Sequence, residues 1–228
     1  ENTLAEGGIQ KPLHLLRDGE KKWGAEPLRS DRLSNHADGI AAFSSRGPTQ
    51  DGRMKPEIVA PGTNIVSTRS SHPQASPLWG VYNEHYAYAG GTSMATPLTA
   101  GAAAVVRQFL IEKRGISKPS SALVKATMIH TAQDLFPGQY GEGAGQELLT
   151  QRPNVHEGFG RVNLATVVGL GASTLVVDES VGLATGASKT YDVRIKKRGK
   201  SLRATLVYTD APAALTAKKA LVNDLSLE

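Results

Sequence analysis

The strongest constraint on the fold is a long stretch that follows a pair of glycines. Gly90 and Gly91 come just before Thr92 and Ser93, and after Pro97 no further proline interrupts residues 98–113. Pro97 is compatible with a helix here because the first turn has no intrahelical partner for its missing N–H. Small side chains make this helix narrow at Ala100, Ala102, Ala103 and Ala104. We therefore predict a central helix that other elements contact on most sides.

Shorter patterns flank this helix. Residues 40–65 consist of short apolar runs separated by turns, which predicts short buried strands, and residues 64–68 and 86–89 are also strand-like. A polar loop is expected after residue 68, running through Trp79 to about Glu84. Downstream, helical spacing predicts a second helix from about Pro119 to Asp134 and a short one that ends near Val168. Two serines are candidates to cap the second helix, Ser117 and Ser120.

The two ends of the chain differ from this central part. Residues 1–39 are polar and interrupted by glycine and proline, which predicts a long irregular excursion. Beyond Gly171 apolar side chains recur at every second residue, at Tyr191, Val193 and Ile195, as in a β-strand. A basic turn that contains Gly199 follows. We expect a β-hairpin here, completed by alternating residues after 201. A domain boundary is therefore predicted near residue 171, with the second domain incomplete at residue 228.

Composition narrows the function classes. The 228 residues are 39% hydrophobic and 21% charged, which is typical of a globular chain. The absence of cysteine excludes disulfides, thiolate catalysis and cysteine-based zinc sites. The net charge of +5 comes from scattered basic residues and aromatic content is 5%, so we expect no nucleic-acid partner. The sequence has no uninterrupted apolar run of about 18 residues, so we expect no membrane partner either.

Ser93 is the candidate nucleophile. A serine acts in this way only where its hydroxyl is exposed, fixed in position and close to N–H groups that can hold an oxyanion. Ser93 lies at the predicted helix start, where free N–H groups and the positive end of the helix dipole face outward. Gly90 and Gly91 allow a tight turn and close approach of a substrate backbone. From these residues alone, Ser93 acting only as an N-cap is the alternative.

Residues 91–97, GTSMATP, resemble the nucleophile signature of the subtilisin family. Other segments resemble the family in the same order along the chain: FSSRGP at 43–48, KPEIVAPG at 55–62 and GFGRVN at 158–163. Two later segments resemble the β-barrel domain that follows the protease in alkaline bacterial subtilases, LVYTDAP at 206–212 and LVNDL at 221–225. The resemblance implies an α/β fold. Residues 1–170 would be the C-terminal portion of a subtilisin-like parallel-sheet domain, and residues 171–228 part of an antiparallel β-sandwich or jelly roll.

The resemblance also implies an activity and a site. Ser93 would be the catalytic residue of a secreted serine endopeptidase, hydrolysing peptide bonds through an acyl-enzyme. Gly91, Thr92 and Met94 would contact the substrate, with Thr92 beside the oxyanion site and Met94 on the leaving-group side. No cofactor is implied for the chemistry. The family location is extracellular, although the N-terminus, from Glu1 to Leu4, lacks the basic start, apolar run and cleavage site of a secretion signal.

The rest of the family's machinery is not recognisable in this sequence. A subtilisin triad runs Asp, His, Ser, and neither the His-Gly-Thr type of helix start nor a Gly-Asn pair precedes Ser93. None of the six histidines lies in such a motif: His14, His36, His72, His85, His130 and His156. We therefore expect the isolated chain to be inactive. Its partners would be protein or peptide substrates and the missing N-terminal part of the same peptidase.

Two other functions remain open. An α/β-hydrolase would use Ser93, Asp134 and His156 in that chain order, although Ala95 replaces the glycine expected in its nucleophile elbow. A non-catalytic fragment that binds or assembles with a missing half is the second alternative. Acidic and amide side chains of the β part could supply oxygen ligands for structural calcium, but their spacing matches no dedicated calcium loop and turn formation is the preferred explanation: Asp178, Glu179, Asp210, Asn223 and Asp224.

Overall fold

A computed structural model describes residues 23–195, 199 and 201–228. The predicted excursion over residues 1–39 therefore lies partly outside the described residues. Six elements follow one another along the chain: β1 (Ile65–Thr68), β2 (Gly80–Val81), β3 (Tyr86–Ala89), α1 (Thr92–Arg114), α2 (Ser121–Thr131) and α3 (Leu164–Val168).

The three strands form one small antiparallel sheet in the order β1-β3-β2. Ile65 pairs with Ala89 and Gly80 pairs with Tyr88, so β3 is the central strand and leads directly to α1. The strands predicted within 64–68 and at 86–89 are confirmed. The loop predicted after residue 68 and through Trp79 to about Glu84 is interrupted by β2, because Gly80 and Val81 pair with β3.

Of the strands predicted over residues 40–65, none forms before β1 begins at Ile65. Val59 makes a single parallel bridge to Arg161, and no named strand lies in residues 23–64. Prolines explain the difference. Pro48, Pro56 and Pro61 each remove a backbone donor, so a ladder of several residues cannot form there.

Helix α1 begins and ends at glycines. Gly91 precedes its first residue, and Gly115 at its C-terminal end adopts a left-handed conformation, with φ 71° and its N–H bonded to the carbonyl of Leu110. Lys113 and Arg114 occupy the last turn, where they complement the helix dipole. Pro97 is the sixth residue of α1 and lies inside the helix, beyond the first turn in which the sequence predicts it, because α1 begins already at Thr92.

The core is built on one face of α1. Buried side chains of α1 pack against residues from α2 and α3: Ala102, Val106, Phe109, Leu110, Leu123, Met128 and Val167. The opposite face, with Pro97, Ala100 and Ala104, is exposed, and an apolar strip beside the core face is also open within the described residues, since Leu98 is 42% exposed and Val105 is 40% exposed. The prediction that other elements contact α1 on most sides is therefore wrong for the described residues. By length and composition alone α1 could cross a membrane, a property that it shares with core helices of soluble proteins.

Helix α2 is capped by Ser120, one of the two predicted candidates. The Ser120 hydroxyl oxygen accepts a hydrogen bond from the Leu123 N–H at 3.0 Å. Asp178 fixes this cap, because its carboxylate accepts from the Ser120 hydroxyl at 2.6 Å and from the Ser120 N–H at 2.8 Å. The helix ends at Thr131, three residues before the predicted Asp134. The segment after residue 171 is thus tied to α2.

The predicted β-hairpin is not confirmed, since residues 171–195 and 201–228 contain no strand. Its side chains are exposed, including Tyr191 at 45% and Ile195 at 62%. A two-stranded hairpin is marginal without further strands or a packed face, and neither is present here. Gly199 does have the predicted positive φ, at 77°. The boundary near residue 171 and the β-sandwich domain stay predictions.

The two faces of α1 give a test of the packing. Leu110 is fully buried and Leu98 is 42% exposed on the same helix. We expect Leu110→Ala to lower the free energy of unfolding by about 2–5 kcal/mol because it leaves a cavity. Leu98→Ala should change it by less than about 1 kcal/mol. Urea unfolding of both variants measures the difference, and equal losses would contradict this core.

Candidate active site

Ser93 is the second residue of α1 and is exposed. It is not the N-cap, because that position belongs to Gly91 and no side-chain cap hydrogen bond is present. The alternative of Ser93 acting only as an N-cap is therefore wrong. The N–H of Ser93 belongs to the first turn, where N–H groups have no partner within the helix. The structure thus places an exposed serine, with a backbone donor of its own, at the positive end of a long helix.

Three sequence motifs meet behind Ser93 through main-chain hydrogen bonds. The Gly91 N–H donates to the carbonyl of Gly62 at 2.7 Å, which joins the start of α1 to the segment KPEIVAPG. The Val59 N–H of that segment donates to Gly160 at 3.0 Å, and the Val162 N–H donates back to Val59 at 2.9 Å. The segment GFGRVN is therefore paired with the same backbone. Residues far apart in sequence fix the position of the serine together.

Position 91 needs a glycine because of its backbone conformation. Its φ of 141° and ψ of 167° lie in a region that is open essentially only to glycine. A Cβ at Gly91 would meet only the Ser93 nitrogen, at 3.8 Å, so space is not the obstacle. This backbone lets the chain leave β3 and begin α1 within two residues.

Position 90 needs a glycine because a neighbouring side chain leaves no space for a Cβ atom. A Cβ there would lie 2.0 Å from the indole ring of Trp79. The Trp79 N–H donates to the Tyr88 carbonyl at 2.9 Å, which holds the ring over Gly90. One face of Gly90 is therefore filled by Trp79 and is not open to a substrate backbone. Sequence reasoning missed this contact, although a tryptophan within a polar segment close to a glycine pair was a usable signal.

The other two predicted contact residues lie on either side of Ser93. Thr92 is exposed, and its carbonyl accepts a hydrogen bond from the Thr96 hydroxyl at 3.0 Å. Met94 is half-buried, and its N–H donates to the Gly91 carbonyl at 2.9 Å. The four predicted site residues thus form one continuous turn, Gly91 to Met94. Their roles toward a substrate stay predictions.

Ser93 has no histidine or carboxylate bonded to it among the residues that the structure describes. His130 shares a hydrogen bond of 3.0 Å with the Thr205 hydroxyl, and burial, together with Arg203 and Arg152, lowers its pKa. His36 and His72 accept hydrogen bonds from backbone N–H groups two residues further on, and His85 lies 3.9 Å from Glu84. His14 lies outside the described residues.

The hydrolase triad is not assembled either. Asp134 accepts a hydrogen bond from the Phe136 N–H at 3.1 Å, and the His156 N–H donates to Asn154 at 3.0 Å. Burial lowers the pKa of His156, and the nearby charge of Arg46 lowers it further. Neither side chain bonds to the other or to Ser93 within the described part of the chain. Both serve local turns.

The candidate calcium ligands make other bonds. The Asp210 carboxylate accepts from the Val222 N–H and from the Asn223 side chain, each at 2.7 Å. Glu179 binds Lys189 at 2.5 Å and accepts from the Tyr191 hydroxyl at 2.6 Å. Among residues 23–195, 199 and 201–228, no group of three or more His, Cys, Asp or Glu side chains could hold a metal. Calcium binding stays a prediction.

Two glutamates support the turns behind the site and were not singled out from the sequence. Glu157 is fully buried, accepts from the Leu135 N–H at 2.9 Å and from Asn154 at 2.8 Å, and has a pKa raised by burial. Glu57 binds Lys55 at 2.5 Å and also Lys125 of α2. Burial alone would raise the pKa of Glu57, but the two lysines outweigh it and lower the pKa.

The comparisons with known proteins agree with these motifs. The profile of the subtilase family matches residues 1–160. The chain is 31% identical to the Dictyostelium discoideum serine protease/ABC transporter B family protein tagD, over 82% of this chain and 13% of that protein. It is 47% identical to the serine protease AprX of Bacillus subtilis over 35% of this chain and 18% of that protein.

A further relative and a solved structure overlap this chain in part. The minor extracellular protease Vpr of Bacillus subtilis is 38% identical over 55% of this chain and 14% of that protein. The structure of the CspB protease of Clostridium perfringens covers 57% of this chain and 23% of its own, at 28% identity and a TM-score of 0.40. The chain thus spans about an eighth to a fifth of the length of these curated relatives.

The matched relatives are serine peptidases, and the family has the α/β fold that the sequence predicts. The chain belongs to the subtilase family.

The contact between Gly90 and Trp79 can be tested by a double-mutant cycle. We expect Gly90→Ala to lower the free energy of unfolding by about 1–3 kcal/mol, because the new methyl group displaces the indole. In a Trp79→Ala background the same change should have a much smaller effect. Gly101→Ala is the control, since nothing lies within 4 Å there and the helix should gain stability. Equal losses in both backgrounds, measured by urea unfolding, would contradict the contact.

Glu57 gives a pH-dependent prediction. Its folded pKa lies below the ordinary 4.5, so its stabilising contribution is present above pH 4.5 and is lost as the pH falls. We expect Glu57→Gln to be less stable than the parent at pH 7, with a difference that shrinks below pH 4.5. Glu84→Gln is the control, because that side chain is 88% exposed. Urea unfolding across this pH range measures the effect, and a constant difference would refute it.

Proposed function

We propose that this chain supplies the nucleophile of a serine endopeptidase, and that Ser93 is that nucleophile. One observation carries the proposal. Ser93 is exposed in the first turn of α1, directly after a glycine whose backbone conformation is accessible essentially only to glycine. The family membership gives this geometry its chemical meaning.

The proposed reaction uses the turn formed by Gly91 to Met94. The Ser93 hydroxyl oxygen attacks the carbonyl carbon of a peptide bond while a histidine takes its proton. The N–H of Ser93 then donates to the oxyanion, helped by the positive end of α1. The histidine returns the proton to the leaving amine, and water releases the acyl group from Ser93. Thr92 flanks the oxyanion, and Met94 lies on the leaving-group side.

The histidine and aspartate of this triad are proposed to come from the N-terminal part of the same peptidase. Two observations support this. Ser93 has no base bonded to it in the described residues, and the face of α1 that carries Leu98 and Val105 is apolar and open. An additional protein layer against this face would bury it. We accordingly propose that the isolated chain has no peptidase activity.

The proposed substrates are proteins and peptides, and the proposed location is extracellular. The relative Vpr, which is described as an extracellular protease, supports the location. Secretion of the full-length protein is tested by cell fractionation.

Activity-based labelling tests the nucleophile. In the full-length peptidase, a fluorophosphonate should modify Ser93, and Ser93→Ala should reduce hydrolysis of a fluorogenic peptide by at least about a thousandfold. Ser67→Ala, at an exposed serine of β1, should leave activity and labelling unchanged. The isolated chain should show neither labelling nor hydrolysis.

Two results would count against this proposal. Full activity of Ser93→Ala would exclude Ser93 as the nucleophile. Hydrolysis by the isolated chain that is lost in Ser93→Ala and His156→Ala would favour the hydrolase arrangement. Size-exclusion chromatography addresses the assembly alternative, because a fragment that only binds its missing half would form a stable but inactive complex.

A further inference from the structure

A cleft lies between α2 and the segment at residues 203–208, and Ser93 is not among the residues that line it. Its volume is about 910 Å³. Apolar side chains form much of its wall, including Met54, Ile129, Pro153, Phe159 and Leu206. Three basic side chains also line it, Lys125, Arg152 and Arg203, against two acidic ones, Glu57 and Asp224.

The basic side chains are not equivalent. Lys125 is paired with Glu57, which also binds Lys55. Arg152 and Arg203 have no carboxylate within ion-pair distance among the described residues. They bond to main-chain oxygens instead, Arg152 to Ala132 and Phe159, and Arg203 to His130 at 3.1 Å. Backbone carbonyls satisfy the guanidinium donors but do not neutralise the charges. Asp134 and Glu157 act on Arg152 electrostatically, but neither carboxylate is among the residues that line the cleft.

The charges of Arg152 and Arg203 repel each other across the cleft. After burial, the charge of Arg203 is the largest influence that lowers the pKa of Arg152, and both arginines lower the pKa of His130. An anion placed between the two guanidinium groups would relieve this repulsion, and charge-assisted hydrogen bonds to arginine are among the stronger polar contacts.

The wall at residues 203–208 has the features of an open strand edge. Arg203 and Thr205 both bond to His130, which is the two-residue spacing of a strand-like backbone. None of the backbone groups of residues 203–208 bonds to another backbone group within the described part of the chain. Such an edge can add a peptide strand through main-chain hydrogen bonds.

We propose that this cleft binds an acidic peptide segment in an extended conformation, with one carboxylate between Arg152 and Arg203. The peptide backbone pairs with residues 203–208. Its alternate side chains contact the apolar wall formed by Met54, Ile129 and Leu206. The charge of the cleft selects an acidic segment over a neutral one, and the site is separate from the nucleophile.

Fluorescence anisotropy tests this binding. The probe is a fluorescein-labelled peptide that alternates valine and glutamate, compared with a matched peptide of valine and glutamine. The protein carries Ser93→Ala, so the result does not depend on peptidase activity. We expect the glutamate peptide to bind at least about tenfold more tightly than the glutamine peptide, with affinity that falls as salt rises.

Arg203→Gln is the deciding variant, because Arg203 is exposed and its loss leaves no buried donor unpaired. It should weaken binding of the glutamate peptide by about tenfold. Arg107→Gln on the exposed side of α1 removes the same charge elsewhere and should have no effect. Circular dichroism checks that both variants stay folded.

Three results would overturn the proposal: equal binding of the two peptides, unchanged binding by Arg203→Gln, or an equal loss in Arg107→Gln. Sedimentation equilibrium measures the oligomeric state and so tests whether a second copy of the chain, rather than an acidic peptide, occupies the cleft. A dimer that Arg203→Gln dissociates would replace the acidic peptide with the chain itself.

Discussion

The main-chain hydrogen bond from Gly91 to Gly62 is the constraint on which the site depends. It holds the start of α1 to a segment that is itself paired with residues 158–163, so three parts of the sequence share one backbone arrangement. A serine at the end of a loose loop could not keep its hydroxyl and N–H in a fixed relation. Here the helix, the sheet and the GFGRVN turn all restrict the same few residues.

Much of this arrangement could be predicted because its signals are local. The N-cap of α2 at Ser120, the strand at Tyr86–Ala89 and the start of α1 after Gly91 all depend on residues within a few positions of each other. The candidate site residues lie within one such local motif, so their proximity to each other was also predictable.

What the sequence did not predict depends on distant contacts. The indole of Trp79 over Gly90, the carboxylate of Asp178 that holds the Ser120 cap of α2 and the buried carboxylate of Glu157 each require a partner that only the fold brings near. The hairpin after residue 171 failed for a related reason. Alternation predicts which side chains share a face, but a strand forms only where another backbone pairs with it, and residues 171–195 and 201–228 show no such pairing.

The position of Trp79 has a spectroscopic consequence. The chain contains two tryptophans, and this one packs against a residue three positions before Ser93. Indole emission depends on the polarity and rigidity of its surroundings, so in a protein whose Trp23 is replaced by phenylalanine the remaining signal would come from this ring alone. Movement of the serine turn on ligand binding could then be followed as a change in wavelength, without an attached dye.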